Sequence, residues 1–310
     1  MARETPLISV ALCTWNGARW LRPQLDSILT QEDVALELVV LDDASTDDTL
    51  AILREYVARD GRIRLHANAG NLGHLRSFGT CMGMCTGDFI APADQDDVWH
   101  PRKLRTLSDA MGEHSLAYCD SRYIDADGQP TGRKVSDDLP MRSGREVLPI
   151  LLQNSVSGHA ALMRREVFSV AQPFPRHGYH DWWLAMIAAT HHGIAYVDEP
   201  LVDFRRHAGN CSAVGHAHSA ATTISRSQRE ADWFRQRTEL AHVFVQRYGI
   251  CLHPRLGEWA GLLERLSTGE ARGLFALAWR DRDVLGGPLA ALRLAASYGA
   301  KARRIRRAHH

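Results

Sequence analysis

The sequence predicts an α/β protein, with a mostly parallel sheet flanked by helices and a helical appendage at the C-terminal end. Three observations support that class. Between residues 7 and 97, short apolar runs alternate with helix-period stretches in β-α-β-α-β-α-β order, an order that builds a parallel sheet covered on both faces. Polar clusters follow three of these runs, where sheets of this kind place their ligands. From residue 220 onward the spacing is helical, broken at Gly249, Pro254, Gly269 and Gly286-Gly287-Pro288. Of the 310 residues, 45% are apolar and 24% charged. That is an ordinary globular composition, which excludes a disordered tail, a collagen-like repeat and a small disulfide scaffold.

Taken in order, the first strand is read at Leu7–Leu12, ended by Thr14-Trp15-Asn16-Gly17, with a helix running on to Leu29. Glu37–Leu41 is the second strand, ended by Asp42-Asp43-Ala44-Ser45-Thr46-Asp47. The next helix, Thr49–Ala58, carries Leu50, Leu53, Tyr56 and Val57 at helical spacing. Asp47 and Asp48 stand where the helix dipole favours carboxylates. Ile63–His66 is a third strand, His74–Cys85 a third helix, and Phe89–Ala91 a fourth strand that runs into Asp94-Gln95-Asp96-Asp97. Beyond it, strands are read at Leu116–Cys119, His159–Met163, Ile194–Val197 and Leu201–Phe204, and helices at Glu146–Gln153 and His180–His192. Residues 124–143 read as a turn-rich loop, and Pro288 suits the first position of a last helix.

The formal net charge of +1 conceals an asymmetry. Residues 1–218 hold 21 basic and 28 acidic side chains, whereas residues 219–310 hold 16 and 8. No run of about 18 apolar residues occurs, so no segment is expected to span a bilayer. The first residues lead into a strand without a secretory h-region, and six scattered cysteines without C-x-x-C pairs read as reduced thiols of a cytoplasmic protein. The basic end, Lys301, Arg303, Arg304, Arg306 and Arg307, suits contact with an anionic surface on the inner face of the cell membrane, at roughly 1 kcal/mol per residue. It suits a solvated tail or a subunit contact equally well. On a helical projection these residues spread around the axis, which argues against an in-plane anchor.

Asp94 and Asp96 form a D-x-D at a strand end. Two carboxylates so placed can hold a hard divalent cation, Mg²⁺ or Mn²⁺, that grips phosphate oxygens. Three stretches then occur in order: Ile8-Ser-Val-Ala-Leu-Cys-Thr-Trp-Asn-Gly17, Val39-Val-Leu-Asp-Asp-Ala-Ser-Thr-Asp47 and Asp94-Gln-Asp-Asp-Val-Trp-His-Pro101. With them the chain resembles family 2 glycosyltransferases of the GT-A fold. Two further stretches, His180-Asp-Trp-Trp-Leu-Ala185 and Glu199-Pro-Leu-Val-Asp-Phe-Arg-Arg-His-Ala-Gly-Asn210, resemble bacterial rhamnosyltransferase-like members. The resemblance spans residues 7–210. It implies a GT-A catalytic domain over 1–218, with a nucleotide-sugar half to about 120 and an acceptor half beyond it; the helical spacing adds a region over 219–310.

The resemblance also implies roles. Thr14, Trp15 and Asn16 would line the nucleotide pocket, the indole standing where family members usually have Tyr. Asp43 would accept from the base's imide N–H while Asp42 supports the turn. Asn71 and Arg76 would lie near the nucleotide. Asp96 would be the main metal carboxylate, with Asp94 on the ribose or the metal, and Asp97 behind them or capping the next helix. His207 would complete the metal site, with Arg205, Arg206 and Asn210 on the diphosphate. Trp99 and Trp182 would floor the sugar or acceptor site. Asp181 would be the general base that deprotonates the acceptor hydroxyl, so that one carboxylate and a stabilised leaving group suffice for inversion. The expected donor is a nucleotide-diphospho-sugar, first dTDP-L-rhamnose and second a UDP-sugar. The expected acceptor is a glycan or lipid-linked saccharide in cell-surface polysaccharide assembly.

Other classes fit less well. A nucleotidyltransferase would carry a Gly-rich, basic loop after the first strand, and a NAD-linked enzyme a G-x-G-x-x-G there. Thr14-Trp15-Asn16-Gly17-Ala18 is neither. A nucleic-acid binder would need a recognition module, and none is visible. A catalytically inactive sugar-nucleotide-binding module would share the fold, yet Asp94, Asp96 and Asp181 are all in place.

Overall fold

The computed structural model describes residues 6–207, 225–248 and 254–308. Its first half follows the expected alternation: β1 (Leu7–Thr14), α1 (Leu21–Leu29), β2 (Ala35–Asp42), α2 (Thr49–Arg59), β3 (Ile63–Ala67), α3 (His74–Gly83) and β4 (Phe89–Ala93). β1 pairs in parallel with both β2 and β4, and β2 with β3. Buried on both faces, β1 and β4 read as nearly continuous apolar runs, as parallel strands should. The sheet core is built from Val10, Leu12, Leu38, Val40 and Ala91, closed by Leu21, Leu25 and Ile28 of α1 and Leu53 of α2.

The chain continues through β5 (Val98–Trp99), α4 (Lys103–Met111), β6 (Leu116–Ile124), β7 (Pro130–Lys134), α5 (Val147–Leu152), β8 (Ala161–Arg164), α6 (Arg165–Ala171), α7 (His180–Thr190) and β9 (Ile194–Arg205). The strand order is β3-β2-β1-β4-β8-β6-β9-β5, with β7 on β6. The parallel expectation therefore holds for the first four strands. Beyond them the sheet is mixed, because β8 runs antiparallel to both β4 and β6 while β9 runs parallel to β6.

Three local readings are corrected. Residues 158–160 form a 3-10 turn, and the strand starts at Ala161. The supposed loop 124–143 contains β7 and a 3-10 turn at Val135–Asp137. The two strands expected at 194–204 are one bulged strand, whose register against β6 shifts beside Pro200, a residue that cannot donate to the ladder.

Two compact units make up the chain. One comprises Met1–Arg145, Asn154–Phe174 and Tyr179–Cys211; the other comprises Glu146–Gln153, Pro175–Gly178 and Ser212–His310. The expected boundary at 218/219 lies outside the described residues, and the short pieces at 146–153 and 175–178 join the helical unit. That unit holds α5, α8 (Arg226–Tyr248), α9 (Pro254–Ser267), α10 (Leu274–Arg280), α11 (Arg282–Leu285) and α12 (Pro288–Ala308). Its core includes Phe234, Phe244, Trp259, Leu263 and Tyr298. The Leu152 carbonyl of α5 accepts from Tyr298 Oη at 2.6 Å and from Arg237 Nε at 3.2 Å.

Two of the basic residues expected at a docking surface are engaged within this unit. Lys301 Nζ stands 3.6 Å over the Trp233 ring, and Arg304 bonds Glu230 through Nε and a second nitrogen. Burial also lowers the Lys301 ammonium to about 8. Arg303, Arg306 and Arg307 are exposed. No helix among the described residues is long and apolar enough to cross a membrane.

Candidate active site

The loops after β1, β2 and β4 converge through a small set of hydrogen bonds. Asp42, fully buried, accepts from Thr14 Oγ1 (2.9 Å), Ser45 Oγ (2.6 Å) and Ser45 N (2.9 Å). It supports the turn as expected, and it occupies the Thr14 hydroxyl in doing so. Trp15 and Gln95 join the β1 and β4 loops reciprocally. Trp15 N donates to Gln95 Oε1 (2.8 Å), and Gln95 Nε2 donates to the Trp15 carbonyl (3.0 Å). Gly17 permits this approach, because a Cβ there would sit 2.1 Å from Gln95 Oε1. Asn16, held at φ 49°, accepts from Thr46 N (2.8 Å) and ties the β1 loop to the β2 loop. The indole of Trp15 is left 53% exposed and open for stacking.

Asp43 shapes the neighbouring loop. Its carboxylate accepts from Asn68 Nδ2 (2.8 Å), Leu72 N (2.8 Å) and Gly73 N (2.9 Å). Burial works against the charge, but these donors outweigh it and hold the carboxyl below its usual range. The Ser77 side chain is a further hydrogen-bond partner, so the roughly four acceptor positions of this carboxylate are taken within the loop. Asn71 donates to the Asp43 carbonyl (3.3 Å), and Arg76 is exposed on the first turn of α3.

The acidic cluster is a turn with Gln95 and Asp96 at its tip. A turn brings its first and fourth residues together, so Asp94 meets Asp97 rather than Asp96. One oxygen of each and a nitrogen of His159 lie within 4.8 Å of one another. His159 Nδ1 is 3.6 Å from both Asp94 Oδ2 and Asp97 Oδ2. Asp97 Oδ2 is buried with no hydrogen-bond partner among the described residues. Two carboxylates and an imidazole, one oxygen lacking a donor, fit a divalent cation. Burial and the charges of Asp96 and Asp94 push the Asp97 carboxyl well up, a conflict that a cation would relieve.

The expected ligand set of Asp94, Asp96 and His207 is thus divided. Asp96 and His207 do meet, at 2.7 Å from Oδ2 to Nε2, while the threefold group is Asp94, Asp97 and His159.

Asp181 begins α7. Its Oδ1 accepts from Trp182 N (2.6 Å) and its Oδ2 from Gly158 N (3.2 Å). Burial raises the carboxyl to about 7 against those two amides, and the charge of Asp94 adds to the rise. A carboxyl poised there suits a general base at neutral pH.

Three expectations fail on burial. Trp99 is 2% exposed, with Lys103 Nζ 3.1 Å over its ring, so it cannot floor an open site. Trp182 is 5% exposed, because α7 is apolar all round and turns both tryptophans inward. Arg205 is 5% exposed: its Nε donates to the Asp96 carbonyl (2.8 Å) and another nitrogen to the Asp125 and Ala126 carbonyls. It braces the acidic turn instead of facing a diphosphate. Arg206 is half-buried, its guanidinium 5.3 Å from the Tyr123 ring centre. Asn210 lies outside the described residues.

Three further participants were not among the expected site residues. His159 comes from a 3-10 turn and Trp20 stacks on His207 at 4.0 Å, fixing that imidazole beside Asp96. His180, 3% exposed, stacks on Phe78 at 4.0 Å and stays neutral, since burial lowers it to about 3.

With this geometry in place, known proteins give it a context. EpsE of Bacillus subtilis is 34% identical over 167 residues, covering 52% of this chain and 56% of that protein, so the match spans little more than half of that relative. The dTDP-rhamnosyl transferase RfbG of Shigella flexneri is 26% identical over 213 residues, 64% of this chain and 72% of that one. Among solved structures, TarS of S. aureus with UDP-GlcNAc superposes with a TM-score of 0.62 over 97% of this chain and 91% of its own, at 15% identity. The mixed sheet, its flanking helices and the helical C-terminal region are therefore the GT-A arrangement. The family model "Glycosyl transferase family 2" matches residues 9–170, just over half of the chain, and the protein belongs to that family.

Proposed function

We propose that this chain is a cation-dependent, inverting glycosyltransferase that moves a sugar from a nucleotide-diphospho-sugar to a hydroxyl of a growing cell-surface glycan. The observation that carries this reading is Asp181, a carboxyl raised to about 7 and held by two backbone amides beside the convergent strand-end loops. In the proposed step, Asp181 takes the proton of the acceptor hydroxyl while that oxygen bonds to C1 of the sugar. The bond from C1 to the diphosphate oxygen breaks, and the nucleoside diphosphate leaves with its electron pair. Attack opposite the leaving group inverts the anomeric centre in one displacement.

The nucleotide would stack on Trp15, with Asp43 beside the base and Asn16, Asn71 and Arg76 around it. Asp94, Asp97 and His159 would hold a divalent cation, with Asp96 and His207 beside them. Such a cation offsets charge on a departing diphosphate. Trp20 and Arg205 would keep His207 and the acidic turn in position. The first donor is dTDP-L-rhamnose, supported by the likeness to RfbG, and the second is a UDP-sugar. The acceptor is lipid-linked, as in O-antigen or related polysaccharide assembly, and the chain works at the inner face of the cell membrane.

Transfer is followed by mass spectrometry, with donor affinity from calorimetry. Asp181→Asn is expected to keep donor binding while turnover falls by about 10²–10⁴-fold, the span of a general base. Near-normal turnover in that variant would refute the base. A wild-type chain that binds donor but transfers to no acceptor would favour the binding-module reading.

A further inference from the structure

Four of the large apolar side chains that remain exposed fall between residues 275 and 292 of the helical unit: Phe275 (60%), Trp279 (42%), Leu289 (71%) and Leu292 (39%). On α10, Leu274 and Ala278 are buried, which leaves Phe275 and Trp279 outward one turn apart, with rings parallel within 8° and 6.1 Å between centres. On α12, Ala291 and Tyr298 turn inward while Leu289 and Leu292 stay in the open. Nothing in the catalytic reading uses these side chains.

Their surroundings are basic. Residues 271–293 hold four basic residues, Arg272, Arg280, Arg282 and Arg293, and two acidic ones, Asp281 and Asp283. Arg272 and Arg293 are exposed, and the Arg282 guanidinium stands 5.4 Å over the Trp279 ring. Of the two acids, Asp281 is buried and bound by Trp259 Nε1 and Arg280, which leaves Asp283 as the exposed one.

We propose that the outward residues of α10 and the first turns of α12 dock the protein on an anionic lipid bilayer. Phe275, Trp279, Leu289 and Leu292 would enter the interface, and Arg272, Arg282 and Arg293 would meet headgroup phosphates. The inference deepens the membrane placement proposed above and rests on it. The chemistry matches on both counts: Trp and Phe favour the headgroup level of a bilayer, and arginine binds phosphate in bidentate fashion. A second copy of this chain would bring the same positive charge to the same face, so self-association is opposed where an anionic surface is attracted. The docking elements therefore differ from the basic end at 301–307, where Lys301 and Arg304 are already held by Trp233 and Glu230.

The test is flotation of the full chain with vesicles of phosphatidylcholine alone and of phosphatidylcholine mixed with phosphatidylglycerol. Melting temperature and nucleotide binding with Mn²⁺ are measured in parallel. The wild type is expected to float only with phosphatidylglycerol present. The Phe275→Ser/Trp279→Ser double variant should lose about tenfold in bound fraction, from the apolar area withdrawn, with melting and nucleotide binding unchanged. Arg272→Glu/Arg293→Glu should lose binding in the same way. Three outcomes would overturn the docking surface: no flotation by a wild type that still binds nucleotide, undiminished flotation by both variants, or a wild-type dimer that the double variant dissolves. Loss of nucleotide binding in the wild type itself would instead overturn the transferase reading.

Discussion

Asp181 accepts from two backbone amides, yet burial and the nearby charge of Asp94 hold its carboxyl at about 7. Below that pH the base is protonated and idle. The transfer rate should therefore rise about tenfold per pH unit up to about 7 and level off above it, a limb that Asp181→Asn removes. For stability the sign is opposite. A carboxyl whose folded value is raised stays neutral while the unfolded chain ionises, so its contribution falls between about pH 4 and 7.

Gly158 links this carboxylate to His180. An added Cβ at Gly158 would sit 2.6 Å from His180 Nε2, on a ring already stacked against Phe78. Gly158→Ala is expected to lower kcat by about 10²-fold through a displaced base while donor affinity is kept; an unchanged kcat would show that the packing has slack. The motif residues Asp94, Asp96 and Asp181 were legible because they stand beside strand or helix ends. His159 and Gly158 were not, since their partners are 62 and 23 residues away in sequence and no periodicity reports such distances.

At the level of elements, the loop that leads into α3 is organised by one side chain. Asp43 accepts from Leu72 N and Gly73 N, amides that α3 itself does not satisfy, and from Asn68. Asp43→Ala should cost about 1.5–3 kcal/mol, the range for hydrogen bonds to a charged acceptor, measured by urea unfolding at neutral pH. Because the folded carboxyl lies below its usual range, the deficit should be full above about pH 4 and shrink as acid protonates Asp43.

The parallel elements were readable because each is a single apolar run followed by a helix-period stretch. The mixed half resisted for a physical reason: β8 is four residues long and β5 two, too short to show alternation, and both take their place from partners far along the chain. α6, seven residues long with two of them buried, shows no apolar stripe.

Across the whole molecule, charge sets a constraint on the donor. Residues 1–218 carry 28 acidic against 21 basic side chains, and the candidate site adds Asp94, Asp96, Asp97 and Asp181 within that excess. A nucleoside diphosphate is itself anionic, so the bare site should repel it. Bound cation reverses that sign locally and becomes the link between carboxylates and phosphates. Arg205, expected on the diphosphate, is buried and bonded to main-chain carbonyls. Nucleotide and cation should therefore stabilise the chain only together. Ligand at about a hundred times its dissociation constant adds about 2.7 kcal/mol, and domains of this size gain about 2–4 °C per kcal/mol. Thermal unfolding with dTDP or UDP plus Mn²⁺ is thus expected to shift upward by about 5–10 °C. Either nucleotide in excess chelator should shift it little, and His159→Ala should lose most of the cation-dependent part. An equal shift in chelator would mean that the attraction comes from the basic side chains that remain exposed, Arg76 foremost, and that the acidic turn holds no cation.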